Sequence, residues 1–275
     1  MSEWSADVAS FVAKLEQAYP EFRIAGPLLR RQAPGTLLFE AIAHELTQAV
    51  FHLPDPAVAT GKLQWWREEL QRRFAAQARH PLTRELGAPV GSPPDADVFD
   101  DLIALAAQSR DLPPPADFAA QCAVLMPAFV PIERLRVSLL GTPESAVAVL
   151  AEIRTLSHLL RGLARLPLAD DHEPVPVSMQ SLARHQLSRG ALREAGAARD
   201  ALVRTQLADI AAALNALRPA VEAGAGGTGR LRWRCERWRA RPVPVGDPFE
   251  TLWSRLDRAP WDTAWQAWRG LRGER

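Results

Sequence analysis

At 275 residues and 47% hydrophobic composition, the chain can bury a large core as one helical domain, and length alone does not divide it. Its net charge of +1 excludes a global attraction to nucleic acid or to an anionic membrane; any such partner would need a local patch, and nucleic acid is not expected. Cys122 and Cys235 stand far apart, with no CxxC and no histidine at ligand spacing, so neither a zinc site nor a disulfide framework is expected. No run reaches the ~20 apolar residues that span a bilayer. The acidic start MSEWSADVASF lacks the basic flank and apolar core of a signal peptide. A cytoplasmic protein is expected, with peripheral attachment to the inner membrane as the alternative.

β-Branched runs are absent, and Pro and Gly punctuate long segments rich in Ala, Leu, Arg and Glu, which predicts an all-α fold. Residues 5–19 form a first amphipathic helix, with Val8, Phe11, Val12 and Leu15 on one side, ended by Pro20. A second helix, 36–52, carries Leu38, Ile42, Leu46 and Ala49 at helical spacing and stops before Pro54. Asp55 and Pro56 then form a start signal: the Asp side chain accepts orphan N–H groups, and Pro lacks the N–H that would be orphaned. In GKLQWWREELQRRF, residues 61–74, Leu63, Trp66, Leu70 and Phe74 make one apolar stripe, and Glu68/Arg72 and Glu69/Arg73 are i,i+4 pairs. Trp65 lies off that stripe, so it either packs against another neighbour or lines a cavity.

A short Pro-initiated turn of helix follows at 80–86, then a Gly/Pro loop at 87–94 and a helix to Ser109 headed by Asp95, Asp97, Asp100 and Asp101. Those acids read as first-turn residues favoured by the helix dipole. After Pro113, Pro114 and Pro115, residues 116–139 are helical, kinked or split at Pro127 and Pro131. A long apolar helix spans 142–166, a loop 170–177, a short helix 179–185 and an Ala-rich helix 189–217. The domain reading is a helical body over 1–223, with a Gly linker and Trp/Arg-rich helices over 224–275 packed on it.

The order RRQAPGTLLFEAIAHELTQAV, DPAVATGKLQWWREEL, HPLTREL, DDLIAL, SLLG and SHLLRGLARL, continued by VPVSMQSLARHQLSR, resembles the squalene/phytoene synthase family over residues 29–192. KLQWWREEL followed by HPL is its more specific part. The resemblance implies the isoprenoid-synthase fold, a single helical bundle around a deep central cavity. Active members condense two prenyl diphosphates head to head. They use two aspartate-rich motifs on facing helices, because diphosphate leaves readily only when Mg²⁺ bridges its oxygens to clustered carboxylates.

Here the chain departs from the pattern. The first motif's positions read Thr47, Gln48, Ala49, Val50 and Phe51, with no carboxylate. In the second, Arg161 matches the family's Arg, but Gly162 replaces the Asp that follows, and Ala164 and Arg165 replace an acid one turn on. QCAVLMPAFVPIERL lacks the Tyr and Ala-Gly features that precede SLLG in the family. In this erosion HELTQAV looks more like the mitochondrial complex I assembly factor related to the family. The resemblance therefore implies lost condensation chemistry, with the fold kept to bind a lipid or prenyl ligand or to serve as an assembly scaffold. No cofactor is expected, and Mg²⁺ only with residual synthase activity. The alternative is an active prenyltransferase with metal ligands relocated to Asp170, Asp171 or Glu45.

Candidate ligand or cavity residues are Glu45, Trp65, Trp66 and Arg161; Arg30 and Arg31 would also suit phosphate oxygens. His44, Gln48 and His52 share a helix face, but histidines eight residues apart stand ~12 Å apart along the axis, too far to share one ion. Asp170, Asp171 and Glu173 read as a solvated loop and are the remaining metal candidates. Gly224, Gly226 and Gly229 match GxGxxG without the strand that fingerprint requires, so they read as a flexible connection. Arg230, Arg234, Arg237 and Arg241 line one helical face, opposite Leu231, Cys235 and Trp238, and Trp253, Trp261, Trp265 and Trp268 follow. Such a helix docks on the bundle or meets a membrane surface or protein partner.

Overall fold

The computed structural model describes residues 4–94, 97–108, 114–168, 176–243 and 246–272. Every regular element among them is helical. Helix α1 (Ala6–Ala18) starts where the Ser5 side chain accepts from the Val8 N–H, and it buries Val8, Val12 and Leu15. Pro20 stops it, as expected, but also opens α2 (Pro20–Gln32), a helix absent from the sequence reading. Proline at the first helical position loses nothing, since that N–H has no partner in any helix.

Helix α3 (Pro34–Phe51) is the buried axis of the first half, hidden on nearly every side from Leu37 to Val50. Asp55 caps α4 (Pro56–Phe74) by accepting from the Ala57 N–H at 2.8 Å. The short α5 (Pro81–Glu85) and then α6 (Asp97–Gln108) follow. Asp100 pairs with Arg67 of α4, so that first-turn acid also ties two helices together.

Helix α7 (Phe118–Leu140) runs unbroken through Pro127 and Pro131, which corrects the two-piece alternative. Packing against α8, α6 and α3 outweighs the lost N–H bonds. Gly141 ends it at φ +68°, the left-handed conformation that suits a glycine C-cap. Helix α8 (Val147–Arg165) begins from a 3₁₀ turn and is followed by α9 (Met179–Arg184). Helix α10 (Ala197–Ala216) begins at Ala197, not at Arg189, because a separate 3₁₀ turn occupies Gly190–Leu192.

The stretch expected as a Gly linker is helical: α11 (Arg218–Gly224) is followed directly by α12 (Gly226–Arg239). Gly227 and Gly229 answer to close packing. A Cβ at Gly229 would stand 2.5 Å from Leu150 Cδ2 of α8, and one at Gly270 3.0 Å from the Gly227 backbone. Helices α13 (Pro248–Leu256) and α14 (Thr263–Arg272) complete the chain.

Two apolar clusters form the interior. One joins α1 through α7 with Ala151, Leu231, Cys235, Ala267 and Leu271, so α12 and α14 are part of the first half's core. The other gathers α8, α10, α11 and α13 with Trp233. No helix among the described residues is long and apolar enough to cross a membrane.

Candidate binding cavity

A cavity of about 1200 Å³ opens between α3, α7, α8 and α13. The positions that the resemblance assigns to the two motifs meet in it: Thr47, Gln48 and Phe51 come from α3, and Arg161, Gly162 and Arg165 from α8. Three other candidates stand elsewhere. Glu45 accepts from Lys62 Nζ at 2.8 Å and does not line the cavity. Trp66 is buried and Trp65 is 41% exposed, and both rings contact His80, at 4.8 and 5.5 Å, so the Trp pair fixes α4 to the start of α5. Asp170, Asp171 and Glu173 lie outside the described residues.

One wall is aromatic. Phe51 lies 5.8 Å from Phe129 and 4.2 Å from His158, ring centre to ring centre. Burial, reinforced by the charges of Arg161 and Arg165 and by His52, pushes the His158 pKa down to about 3. His44, edge-on to Tyr19 at 5.9 Å, is pushed down to about 4, again chiefly by burial, with Glu45 opposing and Arg232 assisting. Near neutral pH both imidazoles are therefore uncharged parts of the lining.

The charge of the cavity comes from arginine. Its described lining includes five arginines, Arg154, Arg161, Arg165, Arg189 and Arg232, and one carboxylate, Asp257. Behind this wall runs a buried ion network that the sequence reading did not anticipate. Glu40 of α3 accepts from Arg136, from Arg154 at 3.0 Å and from Arg232 at 2.8 Å. Glu133 of α7 accepts from Arg154 and, at 2.6 Å, from Arg136. On α12, Glu236 accepts through one oxygen from Ser157, Arg161 and Arg239 at 2.9, 3.0 and 3.1 Å, and Arg239 reaches Glu21 at 2.5 Å.

Burial alone would raise the Glu40 carboxyl, but Arg154, Arg232 and Arg136 outweigh it and hold it far below the ordinary carboxylate range. Against the same burial, Arg161 and Arg239 hold Glu236 down at about 2. Among the described residues, five arginines thus face four carboxylates (Glu21, Glu40, Glu133, Glu236), one positive charge in excess. Two cavity-lining residues also carry polar nitrogens with no partner, Arg232 Nε and His44 Nδ1. A signal for the network was present: acids and arginines such as Glu40 in LLFEAIA and Arg154 in LAEIRTLSHLL interrupt otherwise apolar helix faces.

The described lining does not fit a Mg²⁺ cluster. That ion needs converging oxygens, and the two motif walls present none from carboxylates. No group of three or more His, Cys, Asp or Glu among the described residues is placed to hold a metal. A Cβ at Gly162 would lie 3.0 Å from Pro176 Cβ, so a side chain there would require the proline to shift by a few tenths of an ångström.

Two solved structures share this architecture along nearly their whole length. A dehydrosqualene synthase superposes with a TM-score of 0.68 at 13% identity, over 98% of this chain and 96% of that one. Squalene synthase HpnC from Alicyclobacillus acidocaldarius superposes with a TM-score of 0.58 at 14% identity, over 93% and 95%. No protein-family model matches the chain, and no curated protein matches it in sequence. The chain has the all-α isoprenoid-synthase fold of these enzymes.

Proposed function

We propose that the chain is a squalene/phytoene synthase relative that no longer condenses prenyl diphosphates and instead holds an amphiphile with an isoprenoid-like tail and an anionic head. The observation that carries this reading is the exchange on the facing walls of α3 and α8. Where the fold's enzymes would need clustered acids for Mg²⁺, this cavity has Thr47, Gln48, Phe51, Gly162 and Arg165, backed by a network with one cation in excess.

The chemistry supports binding over turnover. A buried cation left short of a counter-charge is costly, and an anionic oxygen entering the cavity relieves that cost. Arg161 is held for such contact by Ser157 Oγ at 2.7 Å and by the Tyr19 ring at 4.2 Å. Arg232 adds a second guanidinium to the lining, and hydrogen bonds between charged groups are the strong ones. Phe51, Phe129 and Leu125 offer the apolar surface a tail requires. The described walls of α3 and α8 offer no carboxylates through which Mg²⁺ could bridge a departing diphosphate.

The test is to incubate the purified protein with Mg²⁺ and farnesyl or geranylgeranyl diphosphate and to follow pyrophosphate. The expected result is no release above a no-enzyme control. Sustained release that disappears on substituting Asp170 and Asp171 would sink the reading in favour of an active enzyme with relocated ligands.

A further inference from the structure

The outer surface of α12 carries a second cationic feature, unconnected with the cavity. Between α10, α12 and the turn before α14 lies a groove of about 360 Å³ whose lining includes Arg234, Arg237, Trp238, Arg241, Trp261 and Asp262. Asp262, the one carboxylate in the described lining, pairs with Arg234 at 2.5 Å. Arg237 donates to the neutral Asn215 Oδ1 at 2.8 Å and lies over the Trp233 ring at 4.6 Å; Arg218 approaches the same ring at 6.0 Å. Partial burial, with repulsion from Arg218, Arg234 and Arg241, depresses the Arg237 pKa. Three guanidinium groups thus share the groove with one carboxylate among its described lining, and Arg218 adds to the local positive field, an electrostatic arrangement that favours an anion.

The neighbouring surface is indole. Trp261 is 97% exposed, and Trp265 and Trp268 are 52% and 40% exposed. They follow one another at spacings of four and three, which places them along one side of α14 and the turn before it. Arg269 and Arg272 lie over the Trp265 and Trp268 rings, at 5.4 and 4.2 Å. The opposite side of α14 buries Ala267 and Leu271 in the core, so the helix is fixed with its tryptophans outward. Arginine alone would suit any soluble phosphate. Large amphipathic rings exposed beside arginine suit the boundary of a bilayer, where the ring enters the headgroup layer and the guanidinium meets lipid phosphate.

We propose that this face docks on an anionic lipid bilayer, with lipid phosphates seated among Arg234, Arg237 and Arg241 and the indoles of Trp261 and Trp265 in the headgroup layer. The attachment is peripheral, since no described helix can span a membrane. It does not depend on what the cavity binds.

The experiment is flotation of the full chain with vesicles of phosphatidylcholine alone and of a two-to-one phosphatidylcholine and phosphatidylglycerol mixture, at low and high salt. Binding is expected to the mixed vesicles only and to weaken with salt. The Arg237→Gln/Arg241→Gln double variant, both changes lying on the surface, is expected to bind roughly 30-fold more weakly at about 1 kcal/mol per arginine. In the unaltered protein, brominated lipid in the mixed vesicles is expected to quench tryptophan fluorescence. Equal partition to both vesicle types, full retention by the double variant, or no quenching would each overturn the proposal. So would displacement from vesicles by glycerol 3-phosphate at concentrations too low to screen charge, which would identify a soluble phosphate site.

Discussion

The two faces of α12 use the same residue type to opposite ends. Inward, Arg232 and Arg239 are buried, and each reaches a carboxylate on another helix, Glu40 of α3 and Glu21 of α2. Outward, Arg234 and Arg241 are exposed and Arg237 half-buried, with one acid in the described lining among them. The difference teaches where charge is committed. Buried arginines are tied to a network that organises the cavity wall, and their cost is met only while every partner is present. Outer arginines repel one another, carry little of the fold, and are available to something outside the molecule.

Breaking the inner face should have the largest effect. Glu40→Gln strips Arg136, Arg154 and Arg232 of a shared counter-charge, and urea denaturation is expected to show a loss of roughly 3–5 kcal/mol. A change below 1 kcal/mol would mean that the network is more solvated than its burial implies.

Acid should dismantle the same face in two stages. The folded pKa values of His44 and His158, about 4 and about 3, lie below the ordinary 6.5. The unfolded chain therefore gains protons first, and the stability due to these neutral imidazoles is full above pH 6.5 and lost as pH falls toward 4 and 3. Glu236, held at about 2 against 4.5, and Glu133, also lowered, add a second loss below pH 4.5 with the same sign. Stability measured by denaturant titration should fall by up to roughly 1.4 kcal/mol per pH unit for each imidazole. His158→Phe, set among Phe51 and Phe129, should make the profile between pH 6.5 and 4.5 shallower. A profile unchanged by that substitution would contradict the assignment.

The smallest effect belongs to the outer face. Arg237→Gln is expected to alter unfolding free energy by less than about 0.5 kcal/mol. A loss comparable with that of Glu40→Gln would erase the distinction between the faces.

How much of this could be read beforehand depended on range. Apolar stripes and the Asp55 cap located most helices, because those signals lie within a few residues of one another. The six positions that the resemblance assigns to the two motifs, Thr47, Gln48, Phe51, Arg161, Gly162 and Arg165, all line one cavity. Helix α2 was passed over because Pro20 signals a start as well as a stop. Gly227 and Gly229 read as part of a linker because their reason, the approach of Gly270 and of Leu150, comes from distant segments. Trp65 and Trp66 stood beside the motif in sequence but turn to His80 instead. The ion network was hidden most deeply, since Glu40 finds Arg136, Arg154 and Arg232 at separations of 96, 114 and 192 residues. No local pattern encodes such pairings.

The measurement that bears most directly on the cavity is a calorimetric titration in EDTA, near neutral pH, comparing farnesyl diphosphate with farnesol. If surplus arginine charge has taken the place of Mg²⁺-bridged carboxylates, the diphosphate binds without metal and at least about tenfold more tightly than the alcohol, a difference of about 1.4 kcal/mol. Binding of the diphosphate only when Mg²⁺ is restored, or equal affinity for the alcohol, would contradict that account.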